Sequence, residues 1–211
     1  MIRRLLIAAL LSVPLAACQT AQQPVATVDD DNWYVGSIPD QPHNIPLVDR
    51  RKMDPKYARQ TVEYKGPEKP GSIVVDIDER MLYLVQPEGK AIRYGVGVGK
   101  QGFSWRGVAS VGRKGVWPAW PPTKTMVGIK PDLPRHMEAG LNNPLGARAL
   151  YLHQNGADTL FRIHGTNEPW SIGEQVSSGC VRMLNEDVAD LYERVPVGTT
   201  VYVKRNGRYR V

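Results

Sequence analysis

Short apolar runs recur between Gly71 and Lys204 and predict β-strands. They fill Ser72–Asp78, Met81–Val85, Ala91–Gly99, Ala149–His153, Asp158–His164 and Thr199–Lys204. Runs of this length that are rich in β-branched and aromatic residues are typical of strands rather than helices. The polar pair Glu79-Arg80 predicts a hairpin turn between the first two runs, and Gln154-Asn155-Gly156-Ala157 predicts another between the fourth and fifth. The pattern therefore indicates a mainly β domain over residues 71–204.

The spacing of glycines in one strand and a helical apolar pattern near the C-terminus add detail to the predicted β domain. Glycine and valine alternate from Gly95 to Gly99, and glycine inside a strand marks a bulge or a close backbone approach. Residues 185–195 predict a helix that Asn185 caps, with acidic residues in its first turn and an apolar face formed by Val188, Leu191, Tyr192 and Val195. We expect a curved β-sheet or sandwich with one or two short helices, the second between Leu133 and Asn143.

The N-terminus has the features of an export signal. Arg3 and Arg4 precede the apolar run Leu5–Leu15, which is too short to span a bilayer and is typical of a secretory signal. The following Ala16-Ala17-Cys18 resembles a bacterial lipoprotein processing site, which implies a signal peptide over residues 1–17 and a lipid on Cys18. The alternative is an ordinary signal peptide cut after Ala17, which leaves Cys18 a free thiol.

Lipidation would place the protein at the envelope. Several acyl chains on Cys18 would anchor it stably to a membrane. Gln19 follows Cys18 and, by resemblance to lipoprotein sorting in enterobacteria, favours the outer membrane. We therefore expect a lipid-anchored protein at the periplasmic face of the cell envelope.

The segments that flank the β domain are polar or proline-rich. Residues 18–70 predict an extended tether, because they contain many prolines and no sustained helical or strand period. Trp33–Val35 and Ile45–Val48 are apolar enough to dock on the domain instead, and the pattern leaves both possibilities open. Residues 205–211 form a basic tail that we expect to be solvated.

Charge and composition narrow the function classes. The formal net charge is +6, and removing Arg3 and Arg4 with the signal peptide leaves about +4, a general bias towards anionic surfaces. The sequence has no nucleic-acid module, no metal-ligand spacing and no glycine-rich strand-to-helix loop. We expect no nucleic-acid partner, no metal and no cofactor.

Cys180 is the candidate nucleophile. It follows Ser177-Ser178-Gly179 instead of lying in an apolar run, so a reactive thiol competes with a buried spectator. Serine and glycine suit a tight backbone whose N–H groups, around Ser178 and Gly179, would hold an oxyanion. His164 ends a predicted strand, and a nearby imidazole lowers the pKa of a thiol and accepts its proton.

These residues together carry a family resemblance. His164-Gly165, followed by Ser177-Ser178-Gly179-Cys180-Val181-Arg182, resembles the signature of the L,D-transpeptidase (YkuD) catalytic domain, over about Gly71 to Lys204. Ser178 stands where most members carry a second histidine. The resemblance implies that Cys180 is the nucleophile and His164 the proton donor and acceptor. It also implies supporting or substrate-binding roles for Ser177, Ser178, Gly179, Gly165, Thr166 and Arg182.

The same resemblance implies a reaction on peptidoglycan stem peptides. Cys180 would attack the diaminopimelate carbonyl of a tetrapeptide stem and release D-Ala. The acyl group would then pass to another diaminopimelate amine, giving a 3→3 cross-link, or to a lysine of an envelope protein. Hydrolysis by the same nucleophile, as in an L,D-carboxypeptidase, remains open, as does a non-catalytic lipoprotein that binds wall peptide. Arg182 would steady a stem carboxylate or form a structural ion pair.

Two other features lie near the predicted site. The rigid segment Val116–Pro122 either covers the core or forms a wall of the substrate cleft, and we assign Trp120 to that wall. His153 would lie near the site if the strands before and after residues 154–157 pair as a hairpin, although a partly exposed strand position is the alternative. We expect His136 to be an exposed spectator.

Overall fold

A computed structural model describes residues 33–100, 105–122, 124–129, 131–177 and 179–209. The predicted signal peptide, Cys18 and Ser178 therefore lie outside the described residues. No helix among the described residues is long and apolar enough to cross a membrane.

Strands dominate the described residues, as the apolar pattern predicts. In chain order they are β1 Tyr34–Ile38, β2 Ile45–Val48, β3 Gln60–Glu63, β4 Ile73–Asp76, β5 Met81–Gln86, β6 Lys90–Gly95, β7 Val98–Gly99, β8 Gly107–Val116, β9 Arg148–Gln154, β10 Ala157–His164, β11 Gln175–Ser177, β12 Val181–Arg182 and β13 Thr200–Lys204. Two α-helices, α1 Lys124–Ile129 and α2 Asn185–Arg194, accompany them. The predicted mainly β fold with one or two short helices is confirmed.

Nine strands form the main sheet, in the order β12-β10-β9-β8-β13-β4-β5-β6-β3. Both predicted hairpins are present, as the antiparallel pairs β4–β5 and β9–β10. The pairings β10–β12 and β13–β4 are parallel, and the others are antiparallel. Register shifts between Val111 and Arg113 and between Asp158 and Arg162 are irregularities of the kind that bend a sheet. The main core packs Ile73, Leu82, Leu150 and Ile163 against Val188 and Leu191 of α2.

The glycine-rich end of the third apolar run marks close packing, as predicted. A Cβ atom added at Gly95 would lie 2.5 Å from Cβ of Tyr57, and one added at Gly97 would lie 2.5 Å from the Ser171 carbonyl oxygen. Regular pairing of β6 therefore ends at Gly95, and Val98–Gly99 pairs with β11 instead.

The described part of the predicted tether is folded onto the domain, which corrects the expectation of an extended segment over residues 33–70. β3 pairs with β6 at the edge of the main sheet, and Val48 and Tyr57 are buried in a cluster with Ile172 and Leu184. The sequence pattern did not reveal this packing because the segment's strands are short, and its buried residues Val48 and Tyr57 pack against Met81, Ile172 and Leu184, which lie far away in sequence.

Helix α2 begins differently from the prediction. Leu184 occupies the N-cap position without a side-chain hydrogen bond, whereas Asn185 is the first helical residue. The Asn185 side chain accepts a hydrogen bond from the Ala147 N–H at 2.9 Å and donates one to the Thr166 carbonyl at 2.8 Å. Asn185 therefore ties the helix to two loops beside His164 instead of capping its own N–H groups. The helix predicted between Leu133 and Asn143 is absent, because those residues form turns, bends and an isolated bridge; the other α-helix, α1, lies at Lys124–Ile129 instead.

Candidate active site

The pairing of β10 with β12 brings the two predicted catalytic segments to one edge of the sheet. Ile163 lies opposite Val181 and His164 opposite Arg182 in a parallel register. Cys180 directly precedes β12, and adjacent strands are separated by about 4.8 Å. The backbones that carry Cys180 and His164 are thus neighbours, although the two residues lie sixteen positions apart in sequence.

Ser177 shapes the turn that presents Cys180. Its Oγ donates a hydrogen bond to the Cys180 carbonyl at 2.6 Å and accepts one from the Gly179 N–H at 3.2 Å. Gly179 has a φ of 129°, a conformation that favours glycine. Ser177 is buried and is not among the described residues that line the groove beside Cys180, so its contacts are with the turn. The Gly179 N–H is occupied by Ser177, in contrast to the free oxyanion donor that we predicted.

Cys180 is partly exposed and lies on a groove of about 520 Å³. Surrounding protein raises the pKa of its thiol above the ordinary value, because burial disfavours the charged form. A hydrogen bond from the Arg162 backbone and the positive charges of Arg162 and Arg182 oppose this effect and lower the pKa. Burial is the larger contribution, so the resting thiol is neutral at neutral pH.

His164 is buried, and its ring is held by the following peptide group. Nδ1 lies 2.5 Å from the Gly165 carbonyl oxygen, which only accepts hydrogen bonds, so Nδ1 carries the proton of the neutral ring. Nε2 is then the basic nitrogen. Burial, followed by the charge of Arg182, lowers the pKa of His164 to about 3, although the Gly165 and Pro144 carbonyls act in the opposite direction.

These two directions differ from the expectation that His164 lowers the pKa of the Cys180 thiol. Burial raises the pKa of the thiol and lowers the pKa of the imidazole, so both groups are neutral before a substrate binds. The arrangement is suited to a general base that takes the thiol proton during attack.

Aromatic, apolar and cationic side chains line the groove. They include Trp120, Tyr151, Leu160, Arg113, Arg162 and His136. The Arg113 and Arg162 guanidinium carbons lie 3.5 and 4.5 Å from the Tyr151 ring centroid. Arg162 is also paired with Asp158 at 2.7 Å, whereas no ion pair of Arg113 occurs among the described residues. The sequence analysis missed Arg113, Tyr151 and Arg162, because alternation along a strand gives the face of a residue but not the groove it meets.

Several predicted substrate-binding residues make structural contacts within the protein. Arg182 forms an ion pair with Glu168, which is the structural alternative considered for it. Thr166 is buried, and its Oγ1 accepts a hydrogen bond from the Glu168 N–H at 3.0 Å. A Cβ atom added at Gly165 would lie 2.2 Å from Oδ1 of Asn185, so Gly165 permits the close approach of α2. These three residues are not among the described residues that line the groove.

The tryptophan segment has both of the roles considered for it. Trp117 is buried, and its Nε1 donates a hydrogen bond to Asp40 at 2.8 Å, whereas Trp120 lines the groove. His153 packs against Gly112 and is not among the described groove residues, which agrees with a partly exposed strand position. His136 is exposed and borders the groove. Among the described residues, no group of three or more His, Cys, Asp or Glu side chains could hold a metal ion.

The protein is thus a mainly β protein in which Cys180, on a groove at the sheet edge, lies next to the strand that carries the buried His164. The family model of the L,D-transpeptidase catalytic domain, YkuD, matches residues 70–203, and the chain belongs to this family.

Relatives agree with this assignment. The probable L,D-transpeptidase ErfK/SrfK of Escherichia coli K12 is 36% identical over 140 residues, which are 62% of this chain and 43% of the relative. The probable L,D-transpeptidase YbiS of the same organism is 37% identical over 139 residues, with the same coverage. The chain thus spans less than half the length of these curated relatives.

A solved structure from Brucella melitensis, described as a probable carnitine operon oxidoreductase caia, is 49% identical and covers 71% of this chain and 95% of that chain, with a TM-score of 0.49. The family assignment rests on the matched residues and not on this superposition.

Proposed function

We propose that this protein is a cysteine acyltransferase that acts on peptidoglycan stem peptides as an L,D-transpeptidase. The observation that carries the proposal is the position of Cys180, which lies on a groove at the sheet edge with His164 on the neighbouring strand. Membership of the YkuD family supports the substrate class. A non-catalytic binding protein would not need a partly exposed thiol beside a neutral imidazole.

The reaction begins with both groups neutral. Nε2 of His164 accepts the thiol proton while Sγ of Cys180 attacks the diaminopimelate carbonyl of a tetrapeptide stem. The tetrahedral intermediate then collapses, the bond to the D-Ala nitrogen breaks, and the imidazolium returns its proton to that nitrogen. D-Ala leaves, and a thioester remains on Cys180.

The second half of the reaction regenerates the thiol. An acceptor amine attacks the thioester and gives a proton to His164, the C–S bond breaks, and the sulfur regains the proton. With a diaminopimelate amine as the acceptor the product is a 3→3 cross-link, and with a lysine it is an envelope protein joined to the wall. Backbone N–H groups of Ser178 and Cys180 are the proposed oxyanion donors, because the Gly179 N–H is bonded to Ser177.

Arg113 takes over the role that the sequence analysis gave to Arg182. Arg182 is engaged by Glu168, while Arg113 borders the groove and stacks on Tyr151. A guanidinium fork held over an aromatic ring is suited to a stem carboxylate. Trp120 offers the peptide an apolar wall. Lipidation of Cys18 would hold the enzyme at the periplasmic face of the envelope, in the outer membrane rather than the inner.

Product analysis tests this proposal and separates it from hydrolysis. Purified protein is incubated with disaccharide-tetrapeptide, and the products are identified by mass spectrometry. Transpeptidation predicts dimers together with stoichiometric D-Ala, and both must disappear in Cys180→Ala. Release of D-Ala without dimers would identify an L,D-carboxypeptidase instead. Binding of the wall fragment without any product would support a non-catalytic protein.

A further inference from the structure

Asn185 carries a buried side-chain amide between two loops beside His164. The residue is 6% exposed, and its Oδ1 accepts a hydrogen bond from the Ala147 N–H at 2.9 Å. Its Nδ2 donates a hydrogen bond to the Thr166 carbonyl at 2.8 Å. A backbone N–H only donates and a carbonyl only accepts, so these partners fix which end of the amide faces which loop. The position therefore needs one acceptor and one donor on the same short side chain.

Two glycines let the loops approach this amide closely. A Cβ atom added at Gly146 or at Gly165 would overlap Oδ1 of Asn185. Gly146 has a φ of 61°, in the left-handed region that favours glycine. Close packing leaves few alternative arrangements for a buried group, so the amide and the two loops fix one another's positions.

Each of the two loops presents a backbone carbonyl to the His164 ring. The Gly165 carbonyl oxygen lies 2.5 Å from Nδ1, and Thr166, which Asn185 holds, shares that peptide group. The Pro144 carbonyl belongs to the other loop and lies beside the same ring. Both carbonyls oppose the burial that lowers the pKa of His164. The loops that Asn185 joins are thus the loops that hold the imidazole.

Strand pairing does not by itself fix the ring. The Met183 N–H donates to the His164 carbonyl at 2.8 Å, which holds the backbone but leaves rotation of the side chain free. The hydrogen bond made by one ring nitrogen decides which nitrogen carries the proton of a neutral imidazole. The Gly165 carbonyl supplies the acceptor at Nδ1, which leaves Nε2 unprotonated. A change that moves this carbonyl would let the proton occupy Nε2, where the ring cannot take the thiol proton.

We propose that Asn185 is a positioning residue for catalysis, whose amide holds both loops so that the His164 ring keeps its proton on Nδ1 and stays basic at Nε2. Asn185 acts through these backbone groups, because it is not among the described residues that line the Cys180 groove. The catalytic consequence rests on the proposed function, whereas the fixing of the ring rests on the contacts alone. Loss of the amide should therefore change the tautomer and the rate together.

Asn185→Asp separates the two hydrogen bonds of the amide. The introduced carboxylate keeps an oxygen for the Ala147 N–H but cannot donate to the Thr166 carbonyl. Asn185→Ser is a neutral second variant, too short to span both partners, for use if a buried carboxylate prevents folding. The matched control is Asn167→Asp. Asn167 also joins these loops, because its Nδ2 donates to the Asn142 carbonyl at 3.1 Å, but it is partly exposed and this bond involves neither carbonyl that faces the ring.

Nitrogen NMR of ring-labelled histidine reads the tautomer without requiring turnover. The chain has four histidines, and the His164 signals are those that disappear in His164→Gln. We expect wild type and Asn167→Asp to show a protonated Nδ1 and an unprotonated Nε2 at neutral pH. Asn185→Asp and Asn185→Ser should show a population of rings with the proton on Nε2. A wild-type ring protonated on Nε2, or wild-type signals in the Asn185 variants, would overturn the inference.

Steady-state kinetics on the free tetrapeptide test the catalytic consequence, with thermal unfolding used to confirm that each variant is folded at the assay temperature. Both Asn185 variants should lower kcat about 10–100-fold, part of the roughly 10²–10⁴-fold that a general base contributes, with little change in KM. Asn167→Asp should leave both constants unchanged. Wild-type kcat in the Asn185 variants, or a loss of kcat with an unchanged His164 tautomer, would overturn the inference. An absence of turnover by wild type would instead contradict the proposed function, and the NMR signals would still decide whether Asn185 fixes the ring.

Discussion

The Cys180 site and the N-terminal segment are held to the domain by different means. The site is built from neighbouring strands, so backbone pairing of β10 with β12 sets the positions of its groups. The N-terminal segment combines the backbone pairing of β3 with β6 and a buried apolar cluster with ion pairs to α2, in which Arg50 reaches Asp187 and Glu186 and Arg59 reaches Asp190. The geometry of the Cys180 site therefore rests on sheet register, whereas attachment of the N-terminal segment rests on one edge-strand pairing, apolar packing and charged contacts to α2. Changes in the two regions should separate activity from stability.

The largest expected effect is on catalysis, from His164→Gln. Removing the general base should lower kcat/KM about 10²–10⁴-fold without unfolding the protein. Because burial lowers the pKa of His164 to about 3, wild-type kcat/KM should stay level as the pH falls from 7 to 5.

The pH profile is measured on the free tetrapeptide, with thermal unfolding of both proteins as the control for folding. A loss of wild-type activity with an apparent pKa near 6.5 would show that the resting imidazole titrates, against this account.

The next effect concerns attachment. Arg50 donates to both Asp187 oxygens, at 3.2 and 2.9 Å, and the Asp187 side chain is only 1% exposed. Arg50→Ala leaves that carboxylate with the longer Arg59 contact at 3.8 Å, so we expect a loss of about 2–4 kcal/mol in the free energy of unfolding. Activity per folded molecule should change little.

Urea unfolding gives the loss, and Arg194→Ala is the matched control. Arg194 pairs with Asp190 on the surface of α2, so its removal should cost less than about 1 kcal/mol. Equal losses in the two variants would show that the Arg50 contact does not hold the segment.

A smaller effect is expected at the groove. Arg113→Gln should raise KM for a tetrapeptide about tenfold and change kcat little, because a charge-assisted hydrogen bond to a stem carboxylate is lost. Steady-state kinetics with a donor whose stem carboxylate is amidated should remove the difference between wild type and variant. If wild type and Arg113→Gln still differed in KM for the amidated donor, Arg113 would not bind the stem carboxylate.

The smallest effect is on how the free energy of unfolding depends on pH, through Glu186, which contacts the N-terminal segment. Burial, followed by the charge of Asp187, raises the pKa of Glu186 to about 7. The folded protein therefore binds this proton more tightly than the unfolded chain, and the resulting stability is lost as the pH rises from about 4.5 through 7.

Glu186→Gln removes that dependence, so the free energy of unfolding of the variant should rise relative to that of the wild type as the pH increases from about 5 to 8. Urea unfolding at several pH values measures the gain. A constant difference between the two proteins across this range would exclude titration of Glu186.

The two regions also differ in how well the sequence predicted them. The alternation of apolar residues and the turn residues predicted the hairpins β4–β5 and β9–β10. The motif predicted that Cys180 and His164 act together, and the pairing of β10 with β12 places both at one edge of the main sheet. Residues 33–70 were expected to be extended, with docking left open only for Trp33–Val35 and Ile45–Val48, because Tyr57 packs on Gly95 and Gly173, and neither contact leaves a local pattern.

Individual side chains were harder to predict than strands. Asn185 has the residue type of a helix cap, yet its amide bridges Ala147 and Thr166, which lie far away in sequence. Arg182 belongs to the motif, but its partner Glu168 was not evident from spacing. The electrostatics of Cys180 and His164 depend on burial, which is a property of the packed fold.

Intact-protein mass spectrometry tests the central claim most directly. The protein is mixed with excess tetrapeptide donor, without an acceptor, and quenched in acid at short times. This account predicts a covalent adduct equal to the donor minus D-Ala, located on Cys180 by peptide mapping, and absent in Cys180→Ala. Release of D-Ala by wild type with the adduct on another residue, or an adduct that persists in Cys180→Ala, would contradict it.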